Sequence, residues 1–428
     1  MLGLPYIREH ADELRDILAN KLFTDAPIDE ILRLDDERRR LVSEADDLRA
    51  RRNAAGKVIG RAKDPEERQR LIDAQRAESQ RIDELEARLA ELEPRLQQLL
   101  LEVPNIPDPD VPVGRDDSSN IVVAMEGALP EFPFEPLPHW ELGERLGVID
   151  FERGVKLSGS RFYVLRGAGA RLQRALIDWM LDMHREEHGY TEVYPPFLVR
   201  EETLVGTGNL PKFADNLYRD IEDDLWLVPT AEVPVTNLHR DEILPSEALP
   251  LRYVAYTPCF RREKMSAGRD VRGIKRGHQF DKVELVKLVH PEDSDDELRT
   301  LLADATHIVR GLGLAYRVVQ LCTGDLGFKA AKAFDVELWA PGCGEWLEVS
   351  SCSNFRDFQA RRANIRFRRS REDRPEFVHT LNGSALALPR LMIAILETYQ
   401  REDGTVDVPP VLHPYMRGTT QLRPEPHV

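Results

Sequence analysis

The chain has 428 residues, and its 75 Asp and Glu outnumber its 59 Lys and Arg, which gives a formal charge of −16. This length allows more than one domain, and the acidic balance excludes a protein that coats nucleic acid, so RNA contact would need a local basic patch. The four cysteines are scattered and no apolar run reaches roughly 18 residues, which indicates a cytoplasmic protein without a disulfide framework, a zinc site or membrane contact.

The first hundred residues carry a helical pattern. Residues 1–24 predict a short amphipathic helix, after which leucines recur every seven residues up to about residue 57. Asp64 and Pro65 then mark a helix start, and a second apolar seam alternates steps of three and four. The seam residues are Leu34, Leu41, Leu48, Ile82, Leu85, Leu89, Leu92, Leu96 and Leu99. Two helices of ~33 residues, joined near residues 56–63, would extend roughly 50 Å, so we expect an antiparallel hairpin that projects from the protein.

The far end of this hairpin is basic although the chain is acidic. Residues 49–76 contain nine basic residues against four acidic ones, a net charge of +5. The basic residues are Arg49, Arg51, Arg52, Lys57, Arg61, Lys63, Arg68, Arg70 and Arg76. A solvated coiled-coil surface would account for these charges, and so would a site for nucleic-acid phosphates.

A proline-rich segment separates the helical arm, residues 1–102, from the rest. Its prolines are Pro104, Pro107, Pro109 and Pro112. Such a segment predicts an extended linker, and residues 121–125 predict a short strand. We therefore assign residues 103–130 to a linker with one strand and residues 131–428 to a second domain.

Several polar residues in the second domain lie at predicted strand ends. Thr230-Ala231-Glu232 follows the apolar strand 225–228, where a hydroxyl and a carboxylate could accept hydrogen bonds from an ammonium group. Alternation along Trp346–Ser351 would place Glu348 and Ser350 on one strand face and Ser351 on the other. Further on, Thr380, Asn382 and Ser384 share a strand face, and Arg390 begins an apolar helix, where an arginine needs a nearby anion.

The segment from Thr257 to Glu284 organises the second domain. Its flanks, Leu251–Phe260 and Gln279–Val289, alternate apolar and polar residues and predict two strands joined by a long basic loop. Period two places Phe280 and Glu284 on one face of the hairpin. A solvated basic hairpin tip is the simplest interpretation, but an arginine pair, an aromatic ring and a carboxylate together favour a binding site.

These residues carry a resemblance to a known family. Phe260–Glu263, followed by Gly277–Phe280 and Glu284, resembles motif 2 of the class II aminoacyl-tRNA synthetases, in particular the seryl-tRNA synthetases of the bacterial type. Residues of about 168–196 resemble the dimer-forming motif 1, those of about 251–289 span motif 2, and those of about 380–400 resemble motif 3. The resemblance covers nearly the whole chain. It implies an α+β fold, in which an antiparallel class II sheet flanked by helices follows a long two-helix coiled-coil arm.

The resemblance also implies roles for individual residues. The implied catalytic residues are Arg261, Glu284 and Arg390. The implied serine-binding residues are Thr230, Ala231, Glu232, Arg261, Glu284, Asn382 and Ser384. The implied ATP-binding residues are Arg261, Arg262, Glu263, Gly277, Phe280, Glu348, Val349, Ser350, Ser351 and Arg390. Glu348 and Ser351 would hold Mg²⁺, which prefers such oxygen ligands.

The function implied by the resemblance is ATP-dependent activation of serine, followed by transfer of serine to the 3′ end of serine tRNA and, where it exists, of selenocysteine tRNA. The basic residues of the arm would bind the long variable arm of serine tRNA, and the protein would be a homodimer. Two alternatives stay open at this point. A serine-activating relative would load a carrier other than tRNA, although such relatives lack the arm. A coiled-coil interaction protein would have an inactive core.

Overall fold

The computed structural model describes residues 1–264 and 272–424. Its helices are α1 (Leu4–Glu9), α2 (Ala11–Asn20), α3 (Ile28–Ile59), α4 (Pro65–Glu102), α5 (His139–Arg145), α6 (Phe151–Ser158), α7 (Gly167–Glu186), α8 (Glu201–Gly206), α9 (Glu232–Thr236), α10 (Ser294–Gly311), α11 (Phe358–Ala363) and α12 (Leu388–Thr398). The chain divides into two units, one formed by residues 1–19 and 23–104 and the other by residues 20–22 and those from 105 onward.

The strands are short at the periphery and long at the centre of the second unit. They are β1 (Ile121–Glu126), β2 (Ile149–Asp150), β3 (Val164–Leu165), β4 (Thr191–Glu192), β5 (Leu198–Val199), β6 (Arg219–Asp220), β7 (Leu225–Leu227), β8 (Ile243–Pro245), β9 (Leu251–Phe260), β10 (Gln279–Val289), β11 (Tyr316–Gln320), β12 (Lys332–Ala340), β13 (Glu345–Asn354), β14 (Arg366–Arg368), β15 (Glu376–Phe377), β16 (His379–Ala387), β17 (Val406–Asp407) and β18 (Gln421–Leu422).

The long helices α3 and α4 of the first unit pair antiparallel, as the leucine pattern predicts. Ala45 and Leu48 of α3 pack with Ile82 and Leu85 of α4 in a buried cluster. Cross-helix ion pairs repeat every seven residues, with residue numbers that rise on α3 and fall on α4: Glu30–Arg95 at 3.1 Å, Glu37–Arg88 at 2.9 Å and Glu44–Arg81 at 2.9 Å. These exposed pairs contribute little stability but favour one register and orientation of the helices.

In the first unit, the sequence predicts the start of α4 correctly but not the break between α1 and α2. The predicted start of α4 is confirmed, since the Asp64 carboxylate accepts hydrogen bonds from the backbone N–H groups of Glu66 and Glu67. The single helix predicted over residues 1–24 is wrong, because the chain leaves helical geometry at His10, with φ −124° and ψ 29°. Each half buries its own apolar side, with Ile7 in α1 and Leu14 in α2.

The second unit is built on a sheet whose described part has eight strands in the order β1-β11-β12-β13-β16-β10-β9-β4. Its neighbouring strands run antiparallel except for β4 and β9, which are parallel. Buried residues of α7, α10 and α12 pack in one core with this sheet. The predicted α+β fold, an antiparallel sheet flanked by helices, is therefore confirmed. The motif 1 segment corresponds to α7 and β4.

The central hairpin has the predicted boundaries. Strands β9 and β10 pair without interruption from Leu251 opposite Leu288 to Phe260 opposite Gln279. The predicted basic loop joins them, and its residues 265–271 lie outside the described residues. On its other side, β10 pairs with β16, and a register shift there leaves Ala385 without a partner and sets Ser384 opposite Glu284.

The proline-rich segment is fixed onto the second unit at several points. Asn105 donates from its side-chain amide to the carbonyl oxygens of Lys329 and Phe355, both at 2.9 Å. The backbone N–H of Asp108 donates to the carbonyl of Ala331 at 2.8 Å. This part of the predicted linker is thus hydrogen-bonded structure rather than a free tether. Among the described residues, no helix combines the length and the apolar character that a bilayer crossing requires.

Candidate functional site

A cleft in the second unit lies over the centre of the sheet, where β9, β10, β13 and β16 meet the start of α12. It brings together most of the residues predicted to bind serine and ATP. Those that line it are Thr230, Glu232, Arg261, Glu263, Gly277, Phe280, Glu284, Glu348, Val349, Ser351, Asn382, Ser384 and Arg390. Residues far apart in the sequence thus converge on one cavity.

One end of the cleft is a buried polar corner. Glu284 is 2% exposed and forms an ion pair with Lys282 at 2.6 Å, and Ser384 Oγ donates to its Oε2 at 3.2 Å. The side-chain N–H₂ of Asn382 is a buried donor without a hydrogen-bond partner among the described residues. Because an unpaired buried donor costs free energy, this corner is suited to a small ligand with an acceptor oxygen.

Thr230 and Glu232 lie beside this corner at the start of α9. The Glu232 carboxylate is buried and accepts hydrogen bonds from Lys329 at 2.8 Å and from the side-chain amide of Gln359 at 2.6 Å. Burial alone would raise the pKa of Glu232, but the Lys329 ammonium outweighs it, so the pKa is lowered and the carboxylate is charged. An anion held in this way suits a ligand ammonium group.

The opposite end of the cleft presents an arginine and an aromatic ring. The Arg261 guanidinium lies 5.1 Å from the centre of the Phe280 ring. Its Nε donates to the carbonyl of Pro229 at 3.2 Å, which fixes the direction of the side chain. Period two along β10 places Phe280, Lys282 and Glu284 on the cleft side of the sheet, as predicted for the first and the last of them.

Strand alternation predicts Glu348 and Ser351 on opposite faces, whereas the family resemblance predicts both at one site, and a β-bulge explains the difference. Along β12 and β13, Val336 pairs with Ser350 and the next pair is Glu337 with Glu348, so Val349 has no partner. The extra residue turns Glu348 and Ser351 to the same cleft, contrary to simple alternation. Ser350 points to the other face, where its hydroxyl lies 3.5 Å from Cys352 Sγ.

Carboxylate and hydroxyl oxygens cluster next to the bulge. Asp335 lies opposite Ser351 in the strand pair, and together with Glu348 they line a cavity that adjoins the main cleft. Burial and the charge of Glu348 raise the pKa of Asp335, whereas the positive charges of Arg390 and Arg261 overcome desolvation and lower that of Glu348. Asp335 Oδ1 is buried without a hydrogen-bond partner among the described residues. An unpaired oxygen beside two further oxygen ligands fits a Mg²⁺ site.

Arg390 connects the third motif to this group of oxygens. It lies in the first turn of α12, and its Nη1 donates to the Glu348 carbonyl at 2.6 Å and lies 3.3 Å from the Glu348 carboxylate. The guanidinium side chain is 19% exposed and borders the cleft. Its position near a helix N-terminus is the one the sequence suggested for binding an anion.

Three of the predicted site residues are not brought to the cleft. Ala231 is fully buried and packs in a separate apolar cluster. Arg262 donates from Nε to the carbonyl of Leu217 at 2.8 Å and stacks on the ring of Tyr218, and Ser350 faces away as described above. Conversely, the site contains four residues that the sequence did not reveal, which are Lys282, Lys329, Gln359 and Asp335. Period two between Phe280 and Glu284 could have revealed Lys282, but Lys329 and Gln359 have no such local signal.

In the first unit, the nine basic residues predicted to bind RNA divide into two groups. Arg49 forms ion pairs with Asp46 and Glu86, and Arg51 lies 3.7 Å from Glu78. No ion pair within residues 1–264 and 272–424 engages the other seven, which are Arg52, Lys57, Arg61, Lys63, Arg68, Arg70 and Arg76. All of these except the half-buried Arg52 are exposed. The positive charge is therefore available to a polyanion.

Comparisons with known proteins agree with this geometry. The family profile described as "tRNA synthetase class II core domain (G, H, P, S and T)" matches residues 213–399. The profile described as "Seryl-tRNA synthetase N-terminal domain" matches residues 1–107. The cleft and its sheet are thus those of a class II aminoacyl-tRNA synthetase core.

Similarity to individual proteins extends over the whole chain. A serine–tRNA ligase from Thermomicrobium roseum is 65% identical over 426 residues, which cover 100% of this chain and 96% of that protein. One from Roseiflexus castenholzii is 60% identical and covers 99% of this chain and 100% of that protein. The crystal structure of seryl-tRNA synthetase from Pyrococcus horikoshii complexed with ATP aligns with a TM-score of 0.94 at 40% identity, over 99% of this chain and 100% of that one. The chain belongs to the seryl-tRNA synthetase family.

Proposed function

We propose that the protein is a serine–tRNA ligase, which activates serine with ATP and transfers it to the 3′ end of serine tRNA. The observation that carries the proposal is the layout of the cleft, which has a buried polar corner at one end and an arginine and an aromatic ring at the opposite end. In the first step, a serine carboxylate oxygen attacks the α-phosphorus of ATP, and pyrophosphate leaves. In the second step, a ribose hydroxyl of the terminal adenosine attacks the seryl carbonyl, and AMP leaves.

The residues of the cleft act by positioning and charge. Arg261 binds the α-phosphate and the serine carboxylate, Phe280 stacks on adenine, and Arg390 binds the distal phosphates. Neither step needs a nucleophile from the protein, because both attacking oxygens belong to the substrates. A fixed arginine beside the reacting phosphate stabilises the charge that develops on the phosphate oxygens. Glu263 and Gly277 line the nucleotide end of the cleft and support this binding.

Recognition of serine uses the polar corner. Glu284 and Ser384 bind the substrate hydroxyl, Asn382 donates to a substrate oxygen, and Thr230 and Glu232 bind the ammonium group. The bonds from Lys329 and Gln359 hold Glu232 in the orientation that this requires. Alanine cannot pair with the corner and leaves its polar groups unsatisfied, which is the basis of strong discrimination against a ligand that lacks a hydroxyl.

Mg²⁺ is the metal that the oxygen cluster fits. Glu348 and Ser351 would hold it, with Asp335 beside them, and the bound ion would offset the negative charge of the ATP phosphates. Asp335 Oδ1, which has no hydrogen-bond donor among the described residues, supports this assignment, because a cation stabilises such a buried oxygen.

The substrates, the assembly and the compartment follow from the same proposal. The seven basic residues of the arm that form no ion pair within the described part of the chain bind the long variable arm of serine tRNA, largely through its backbone phosphates. The segment around α7 and β4 forms a homodimer interface, and a tRNA bridges the two subunits. The protein works in the cytoplasm, where ATP and tRNA are available.

Pyrophosphate exchange tests the proposal most simply. Exchange of labelled pyrophosphate into ATP should depend on serine, should be much weaker with alanine or threonine, and should not require tRNA. Serine-dependent exchange without charging of serine tRNA would point instead to a different acceptor, such as a carrier protein. No exchange with any amino acid would indicate an inactive core.

A further inference from the structure

A buried polar network lies behind the ATP end of the cleft, outside the residues discussed so far. Its centre is the Glu397 carboxylate near the end of α12. Oε1 accepts hydrogen bonds from the backbone N–H of His139 at 2.8 Å and from Cys343 Sγ at 3.1 Å, and Oε2 accepts from the backbone N–H of Cys343 at 3.0 Å. The side chains of His139 and Glu397 are both 0% exposed, so water does not compete for these bonds.

The hydrogen bonds around His139 determine its tautomer. The backbone N–H of Ile274 donates to Nε2 at 3.2 Å, so Nε2 carries no proton. The remaining ring proton is therefore on Nδ1, which donates to Glu397 Oε1 at 2.8 Å. His139 is thus a neutral bridge that accepts on one side and donates on the other.

Ile274 belongs to the returning half of the basic loop and borders the cleft. It is fully buried, and the three residues that follow it, Lys275, Arg276 and Gly277, also line the cleft. The preceding residue packs against the same imidazole, because a Cβ on Gly273 would lie 1.9 Å from His139 Nε2. No side chain fits between the loop and the ring, so the position of His139 sets the position of residues Ile274–Gly277, which form one wall of the cleft.

The network also joins this wall to the third motif. Glu397 and Arg390 lie two turns apart on the same helix, α12. Arg390 Nε lies 3.5 Å from the carbonyl oxygen of Lys275, next to the residue that His139 holds. One rigid helix therefore fixes Arg390 directly and fixes the loop through Glu397 and His139.

The trio of His139, Cys343 and Glu397 could also be considered as a metal site, since their ligand atoms lie within 4.8 Å of one another. A metal on Nδ1 would require the proton on Nε2, where it would face the N–H of Ile274. Two donors would then oppose each other in a buried site, at a cost of an unpaired N–H group. The hydrogen-bonded arrangement satisfies every one of these groups and is the one we adopt.

We propose that His139 is a positioning residue for ATP, which holds the Ile274–Gly277 wall of the cleft at the distance from Arg390 that nucleotide binding requires. The proposal rests on the function proposed above. Because His139 accepts the backbone N–H of Ile274 in the cleft wall, its loss should weaken the handling of ATP while leaving the serine corner unchanged.

Two substitutions test the two hydrogen bonds of the imidazole ring separately. In His139→Asn, the amide nitrogen replaces Nδ1 and still donates to Glu397, but Ile274 loses its acceptor. In His139→Gln, the longer side chain places an amide oxygen near the position of Nε2, where it accepts from Ile274. In serine-dependent pyrophosphate exchange, we expect His139→Asn to raise KM for ATP about tenfold, the order of one buried hydrogen-bond partner, with KM for serine within about twofold of wild type. His139→Gln should restore KM for ATP to within about threefold of wild type.

Two controls distinguish positioning from loss of stability. Cys343→Ala removes one hydrogen bond to Glu397 and does not touch Ile274, so it should lower Tm without changing KM for ATP. Gly273→Ala places a methyl group against the His139 ring and should raise KM for ATP. Gly189→Ala is its control for backbone strain, because Gly189 has a similar φ of +72° with nothing within 4 Å, and this variant should not change KM for ATP. This glycine pair tests the contact even if a His139 variant fails to fold.

Three results would overturn the proposal: an unchanged KM for ATP in His139→Asn, equal changes in the Asn and Gln variants, or a KM for ATP that merely follows Tm across all variants. Failure of the proposed function is a separate outcome. It would appear as wild-type protein that performs no serine-dependent exchange, and calorimetric titration with ATP would then still report whether His139→Asn weakens nucleotide binding relative to His139→Gln.

Discussion

Substitution of Glu284 by Gln tests how serine is chosen. Glu284 is 2% exposed, and its carboxylate accepts from Lys282 at 2.6 Å and from Ser384 at 3.2 Å, so a substrate hydroxyl at this corner would donate to a buried, charged acceptor. A hydrogen bond to a charged group contributes about 1.5–3 kcal/mol, which corresponds to roughly 10- to 150-fold in kcat/KM for serine. Alanine has no hydroxyl and loses little, so the preference for serine over alanine should narrow by about that factor. Pyrophosphate exchange with each amino acid measures both values.

The ion pair with Lys282 requires a control for this experiment. Gln at position 284 leaves a nearly buried ammonium group without its anion, and breaking a buried pair in this way costs about 3–5 kcal/mol of stability. We therefore expect Glu284→Gln to lower Tm as well. The double variant Lys282→Met with Glu284→Gln removes the unpaired ammonium group and should recover stability. Its preference for serine over alanine should remain reduced. Equal losses with serine and alanine in both variants would mean that Glu284 is structural and that the hydroxyl is read elsewhere.

Three further predictions concern the arm, the assembly and the response to acid. Deletion of residues 51–78 should leave serine-dependent exchange intact and abolish tRNA charging; normal charging would show that the arm does not bind the tRNA. Sedimentation should give about 98 kDa, twice the 49.0 kDa of one chain, and an active monomer would contradict the dimer. Burial and the neighbouring charges of His188 and His307 lower the pKa of His184 to about 3 from 6.5, so the unfolded chain binds the proton first. The folded protein therefore has its full stability with respect to His184 above pH 6.5 and loses it as the pH falls toward 3. In His184→Leu, which has no imidazole to protonate, Tm should fall less steeply over that range than in the wild type.

The sequence predicts the parts of this fold that repeat or alternate. The leucine steps give α3 and α4 because a coiled-coil seam is a local property of each helix. The bounds of β9 and β10 agree with prediction for the same reason, since both strands alternate up to a run of glycine and basic residues. The short break at His10 has no comparable signal, because the apolar residues on either side of it keep a helical spacing.

Local sequence patterns do not predict features that depend on a second strand or on a distant segment of the chain. The bulge at Val349 exists only relative to the register of β12, so the sequence of β13 alone assigns Ser350 rather than Ser351 to the side of Glu348. Lys329 reaches Glu232 across 97 positions of the chain, and the contact between His139 and Ile274 spans 135. The family resemblance supplies the residues that are proposed to contact substrates, whereas the residues that support them become visible only when the chain is folded.

The most direct test follows labelled serine to its final acceptor. Purified protein is incubated with ATP, Mg²⁺, labelled serine and serine tRNA, and the product is digested with a nuclease that releases the terminal adenosine. The predicted result is label on that adenosine, dependent on both ATP and tRNA, and lost when the tRNA lacks its long variable arm. Label that stays on AMP, or that reaches a protein carrier while the tRNA remains uncharged, would contradict the assignment.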